Sequence, residues 1–245
     1  KINKTASALL MATISWAIFF VQSPLSVAQN TQSLTLHIGS VSQIVFFLIG
    51  AMTLEEIIDS HKGFKIITDK IYTKAKRKLL WLIGLVTFFL SAILDNLTTT
   101  IVMLSLLRKL IPKEQDRLWF GASVVIAANA GGAWTPIGDV TTTMLWINGQ
   151  LSTTKVMSAL FLPSLCCLCV SLALLSLSVK GSYDELFVHE KKLPAEPGAR
   201  VIFFAGISAL LAVPVLRIFC GLPPFLGMLV GLGVLWLITD VLHFR

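Results

Sequence analysis

The chain has 245 residues, of which 55% are hydrophobic and only 13% are charged, whereas a soluble domain carries about 25% charged residues. The net charge is +7, but the basic residues gather in a few short stretches between apolar runs, which argues against a nucleic-acid partner. Apolar runs of membrane-spanning length recur from end to end, so the composition predicts an all-α polytopic membrane protein. We expect no cofactor.

The first two apolar runs, residues 5–21 and 38–58, are expected to cross the membrane. Residues 22–37 between them hold no Lys or Arg, whereas residues 60–78 hold seven basic residues against one Asp. Basic loops stay on the cytoplasmic side. We therefore expect a loop at 22–37 outside, the basic stretch inside, and a protein of the bacterial inner membrane.

Polar residues interrupt the next apolar stretch at DNLTTT, residues 95–100. Basic residues flank residues 79–107 on both sides, and this stretch is too short for two crossings, which need roughly 40 residues. We predict a re-entrant hairpin over 79–107 that enters from the cytoplasm, with DNLTTT unwound at its tip. Non-helical backbone at that depth is tolerated where it faces protein or a wet cavity, so Asp95 is expected in a cavity and not in lipid.

Residues 118–147 repeat this arrangement, with the predicted loop NAGGAWTPIGDVTTT (129–143) between apolar flanks. The centre of this loop is GGAWTPIG, residues 131–138. Three glycines and a proline cannot hold a continuous helix, so the sequence predicts a crossing helix that is broken at mid-depth. The remaining predicted elements are a span at 156–179, a cytoplasmic linker at 180–200, and crossings near 201–219 and 222–239.

Two carboxylates, Asp95 and Asp139, stand inside these interrupted segments, and threonines follow each of them. A carboxylate inside the membrane is costly and by default indicates a functional site. The set of donors is rich in oxygen and contains neither thiol nor imidazole, which suits Na⁺ or a proton. Two neighbouring carboxylates repel each other when both are ionised, so Na⁺ and H⁺ would compete for the same oxygens. The other donors in these segments are Asn96, Thr98, Asn129, Thr141 and Thr142.

A further acidic group, EEIID at residues 55–59, ends the second apolar run. One of the two adjacent glutamates must face the helix bundle, and Glu56 is the one that we expect there. Glu55 and Asp59 are expected to form solvated ion pairs beside the basic stretch.

Three motifs resemble the NhaD-type sodium/proton antiporters of the ion transporter superfamily. They are FFLIGAMTLEEIIDSHKGF (46–64), LDNLTTTIVM (94–103) and NAGGAWTPIGDVTTTMLW (129–146). The resemblance implies two inverted repeats, each with a re-entrant hairpin and a broken helix whose tips meet at the substrate site. It also implies that Asp95 and Asp139 hold the transported Na⁺, and that the remaining ion-binding residues are Asn96, Asn129, Thr141, Thr142 and Glu56.

No second Asp-Asn-Thr tip and no second Gly-Gly loop follow residue 180. Residues 1–179 are therefore expected to form the first repeat, and residues 201–245 an incomplete start of the second. On this interpretation the chain is half of an inverted-repeat transporter, and the other half is encoded elsewhere or missing.

The resemblance implies a secondary transporter that exchanges Na⁺, or alternatively Li⁺, for H⁺, and not an enzyme. An anion carrier of the same superfamily stays open, although Asp95 and Asp139 would repel an anion; an inactive remnant half-transporter stays open as well. An intramembrane aspartyl protease is disfavoured, since Leu94-Asp95 and Gly138-Asp139 miss the motifs of those enzymes. The expected partners are Na⁺, H⁺ and the bilayer, with a homodimer as an open alternative.

Overall fold

The computed structural model describes residues 3–68, 71, 73–111, 113–183 and 198–243, so most of the predicted linker at 180–200 lies outside the described residues. These residues form ten α-helices. In chain order the helices are α1 (Lys4–Gln22), α2 (Val27–Ser60), α3 (Lys65–Thr68), α4 (Lys76–Ser91), α5 (Asn96–Leu110), α6 (Glu114–Ala133), α7 (Val140–Ile147), α8 (Thr153–Ser178), α9 (Ala199–Cys220) and α10 (Pro224–His243).

Five helices, α1, α2, α8, α9 and α10, are long and apolar enough to cross a membrane. The composition-based prediction of an all-α polytopic membrane protein is therefore confirmed. The chain divides into two compact units, residues 1–43 and residues 44–245.

In the first unit, the loop predicted at 22–37 is wrong over most of its length. Helix α2 already begins at Val27, and only four residues separate it from α1. Polar side chains do not stop the helix here because their hydroxyls bond to carbonyls one turn earlier, Thr31 to Val27 and Thr35 to Thr31. This back-bonding lets Ser and Thr remain in apolar helices without unpaired groups.

In the second unit, α4 and α5 form a helical hairpin whose turn consists of residues 92–95. The prediction that the whole DNLTTT stretch is unwound is wrong, because Asn96 already begins α5 and the threonines lie in its first turns. Asp95 alone stays extended and caps the helix. Aspartate is among the best N-cap residues, since its carboxylate accepts a hydrogen bond from a free N–H of the first turn.

The break between α6 and α7 spans residues 134–139 and is narrower than the predicted loop at 129–143. Small residues let this break lie directly against the hairpin. A Cβ atom on Gly131 would overlap the carbonyl oxygen of Phe88, and one on Gly138 would overlap the carbonyl oxygen of Ser91. The backbones of α4 and α6 can approach this closely only because glycine has no side chain.

Two hydrogen bonds join the hairpin to the broken helix at this contact. Ser91 Oγ donates to the carbonyl of Ala128 at 2.6 Å, and Thr135 Oγ1 donates to the carbonyl of Ala92 at 2.7 Å. Both hydroxyls are buried. A buried hydroxyl that loses its partner costs about 1–3 kcal/mol, so these bonds hold the hairpin turn and the helix break in one relative position.

A polar cluster ties the first turns of α4 and α6 together. Lys76 Nζ lies 2.7 Å from Asp116 Oδ2, and Tyr183 donates its hydroxyl to the same oxygen at 3.0 Å. Partial burial acts to raise the pKa of Asp116, but the hydrogen bonds from Lys76 and Tyr183 and the charges of Lys76 and Lys113 outweigh it, so this pKa is lowered. The pKa of Tyr183 is raised, mainly because the side chain is buried and secondly because its hydroxyl donates to Asp116.

Candidate ion site

A cavity of about 90 Å³ lies where the hairpin turn meets the broken helix. Its polar lining comes from Glu55 on α2, Asp95 in the hairpin turn and Thr143 on α7, and the rest of the lining is apolar. The apolar lining consists of Phe47, Leu48, Ala51, Met52, Ile93, Ile137, Val140, Leu210 and Met228. Two carboxylates in a small, largely apolar cavity are costly unless a proton or a cation compensates them.

Asp95 is held in place from both sides. Its side chain accepts a hydrogen bond from the N–H of Thr98 as the cap of α5, and its own N–H donates to Glu55 Oε1 at 3.1 Å. The free N–H groups of the first turn of α5 also favour negative charge at this position. The arrangement fixes one carboxylate of the hairpin turn beside another from α2.

Glu55 is the most deeply buried acid of this site, with only 3% of the residue exposed. One carboxyl oxygen accepts the bond from Asp95, while the other, Oε2, is buried and has no hydrogen-bond partner. A buried carboxyl oxygen without a donor is strongly disfavoured when it is charged. This oxygen is therefore suited to carry a proton or to ligate a cation.

The expectation that Glu56 faces the helix bundle, with Glu55 in solvated ion pairs, is wrong. Glu56 is exposed, whereas its neighbour Glu55 is buried. The physical reason is the rotation of about 100° between consecutive helix positions, which places adjacent residues on different faces. Helix α2 turns the Glu55 face towards the cavity, together with Leu48 and Ala51.

The two predicted amides, Asn96 and Asn129, lie together, but they do not line the cavity. Asn96 Nδ2 donates to Asn129 Oδ1 at 3.1 Å, and Asn129 Nδ2 donates to the carbonyl of Val125 at 2.8 Å. This pair links the start of α5 to α6, one residue from Asp95. An ion-binding role for the two amides stays a prediction.

Asp139 occupies the same kind of position as Asp95. It is extended, caps α7 and accepts a hydrogen bond from the N–H of Thr141 at 2.8 Å. Its carboxylate is half-buried and does not line the cavity; Thr141 is exposed and Thr142 is half-buried. Among the described residues no hydrogen bond joins Asp139 to Asp95, so their predicted joint action as a sodium site stays a prediction.

Trp146 lies one turn beyond Thr143 on α7 and is fully buried. Its indole N–H donates to Thr153 Oγ1 at 2.9 Å, and the guanidinium of Arg217 stands 4.5 Å from the centre of its ring. Phe47, which lines the cavity, packs against the same indole edge to face, with 6.4 Å between the ring centres. These contacts fix α7 at the side of the cavity.

Interrupted helices whose starts lie beside one cavity are typical of secondary transporters, and α5 and α7 both begin beside this cavity. The described residues form a polytopic helical membrane protein. A family model described as citrate transporter (CitMHS) matches residues 1–244, and the chain belongs to this family.

The chain is also similar to proteins that are named as sodium/proton antiporters. Sodium/proton antiporter 1 of Arabidopsis thaliana is 52% identical over 247 residues, which cover 99% of this chain and 42% of that protein. Sodium/proton antiporter 2 of the same plant is 50% identical over 246 residues, 99% of this chain and 58% of the relative. The Na(+)/H(+) antiporter NhaD of Vibrio cholerae is 30% identical over 240 residues, 96% of this chain and 50% of the relative.

The resemblance to NhaD-type antiporters is thus confirmed. The chain spans about half the length of the curated relatives that it matches.

Proposed function

We propose that this chain supplies a cation site of a secondary transporter that exchanges Na⁺ for H⁺, with Li⁺ as an alternative cation. The observation that carries the proposal is Glu55, which is buried beside Asp95 and has one oxygen without a partner. The names of the antiporter relatives support the same exchange.

The exchange follows from competition at shared oxygens. When a proton occupies the Glu55–Asp95 pair, the pair carries one negative charge fewer and holds Na⁺ weakly. When Na⁺ enters, its charge favours loss of that proton. The hydroxyl of Thr143, which lines the cavity, donates to the carbonyl of Pro136 at 2.9 Å, so its oxygen could still accept or ligate. Alternating exposure of the cavity to the two sides would then couple the gradients.

The same proposal includes the predicted division of the chain. Residues 1–179 would form the first repeat of an inverted pair and residues 201–245 the start of the second, so exchange requires the remainder of a longer protein or a separately encoded half. We expect further residues to join the site when the second repeat approaches: Asp139, Asn96, Asn129, Thr98, Thr141 and Thr142. The side chain of Glu56 is exposed, so Glu56 is expected to stay outside the site. The bacterial inner membrane and the homodimer also remain predictions.

An anion carrier is the second candidate, and the description of the family as citrate transporters favours it. The electrostatics of the cavity oppose it, because citrate carries several negative charges and would approach Glu55 and Asp95. Anion sites usually offer helix N-termini and neutral donors, and here both helix starts at the site are already capped by aspartates.

Transport by the complete protein in sealed vesicles separates these candidates. With a pH-sensitive dye inside, NaCl should dissipate a preformed pH gradient, whereas labelled citrate should not accumulate. Asp95→Asn should abolish or severely reduce the exchange, because asparagine keeps size and polarity but cannot exchange a proton. Citrate uptake, or sodium exchange at wild-type rate in the Asp95→Asn variant, would overturn the proposal.

A further inference from the structure

An apolar groove in the second unit lies apart from the ion cavity. It has a volume of about 360 Å³, within the range of roughly 300–1,000 Å³ that is usual for ligand pockets. Its lining comes from α3, α4, α9 and the segment between α3 and α4: Ile66, Ile67, Ile71, Leu82, Val86, Phe203 and Phe204. Phe204 is 62% exposed, so the groove opens to the surroundings of the helices.

Basic residues precede the groove residues by about one turn on two of the helices that form its walls. On α4, Lys78 lies four residues before Leu82 and eight before Val86, on the same helix face and one turn nearer the helix start. On α9, Arg200 precedes Phe203 by three residues and Phe204 by four. It therefore also lies on the face of the groove residues, one turn nearer the helix start. Both cations are exposed, and no carboxylate among the described residues pairs with either of them.

The two helix starts lie on the side predicted to be cytoplasmic, where the stretch 60–78 also carries seven basic residues. At the cytoplasmic surface of a membrane protein, an apolar groove with Lys78 and Arg200 near its end combines two elements that recognise a lipid. Apolar walls receive a hydrocarbon chain, and Lys or Arg at the interface attract anionic head groups with about 1 kcal/mol each.

The geometry points to a binding site for an anionic phospholipid, with one acyl chain in the groove and the head-group phosphate between Lys78 and Arg200. A zwitterionic lipid would fill the same apolar walls, but its ammonium group would offset the attraction of its phosphate to these cations. The site is therefore expected to prefer phosphatidylglycerol over phosphatidylcholine of equal chain length.

Native mass spectrometry of the complete protein in nonionic detergent, with the two lipids added in equal amounts, tests this site. We expect wild-type protein to retain phosphatidylglycerol preferentially. The double variant Lys78→Gln/Arg200→Gln should bind it roughly 30-fold more weakly. The charge-matched control Arg108→Gln/Lys155→Gln, which removes two exposed cations away from the groove, should retain the lipid like the wild type.

A second pair of variants tests the groove itself. Val86→Trp fills it and should reduce retention of both lipids at least several-fold, whereas Val170→Trp, on an exposed face of α8, should not. Equal retention of the two lipids by wild-type protein would overturn the head-group assignment. Unchanged retention by Val86→Trp, or by the double glutamine variant, would overturn the site.

Discussion

Substitution of Gly131 by alanine tests the close contact between the hairpin and the broken helix. Alanine is favoured over glycine in a helix interior by about 1 kcal/mol, so an unhindered site would gain stability. At Gly131 the new methyl group would overlap the carbonyl oxygen of Phe88, a backbone atom that cannot rotate away. Overpacking of this kind costs about 1–3 kcal/mol or more, so a net loss of up to about 2 kcal/mol is expected.

Gly121→Ala is the matched control, since Gly121 lies on the same helix. A Cβ atom there would meet Leu104 Cδ2 at 3.6 Å, an ordinary van der Waals contact, and the gain of about 1 kcal/mol should be retained. The two variants should thus differ by up to about 3 kcal/mol, or roughly 6–12 °C in the unfolding midpoint of a domain of this size. Thermal unfolding in detergent measures the difference. Equal midpoints would refute the packing of α6 against α4.

Three further variants test other contacts. Asp139→Asn keeps the cap of α7 but loses the charge, so vesicle exchange should fall severely while insertion stays intact; exchange at the wild-type rate would exclude Asp139 as a coupling carboxylate. Asp116→Asn removes the carboxylate paired with Lys76. Because the folded-state pKa of Asp116 is lowered, the wild type should be the more stable protein at neutral pH, and this advantage should vanish as the pH falls below about 4 in unfolding experiments. Trp146→Phe leaves the buried hydroxyl of Thr153 without the indole N–H, so a loss of about 1–3 kcal/mol is expected, and unchanged unfolding would contradict that bond.

The sequence predicted the positions of the interruptions because local chemistry determines them. Asp95 and Asp139 are strong N-cap residues, and Pro136 cannot continue a helix. The observed interruptions are shorter than the predicted ones because polar side chains alone do not unwind a membrane helix. Thr98 and its neighbours lie in α5, and the hydroxyl of Thr100 donates to the carbonyl of Asn96 one turn earlier in the same helix.

The choice between Glu55 and Glu56 depends on packing that the local sequence does not encode. Leu48, Ala51 and Glu55 recur at helical spacing, but Val45, Ile49 and Glu56 form an equally apolar stripe on another face of α2. In a soluble protein the stripe that faces the core is the apolar one. In a membrane helix lipid and protein both favour apolar side chains, so this pattern cannot distinguish them. Only the contact of α2 with the hairpin turn identifies Glu55.

The pair Glu55→Gln and Glu56→Gln tests the central claim most directly, since both remove one charge at adjacent positions of α2. Sodium-dependent exchange by the complete protein should be measured for both variants in vesicles at matched protein content, with sodium binding measured by calorimetry in detergent. The account predicts that Glu55→Gln, which keeps an acceptor for the Asp95 N–H but cannot ionise, reduces exchange and sodium affinity at least tenfold, and that Glu56→Gln changes neither more than about twofold. Loss in Glu56→Gln together with wild-type behaviour in Glu55→Gln would contradict it.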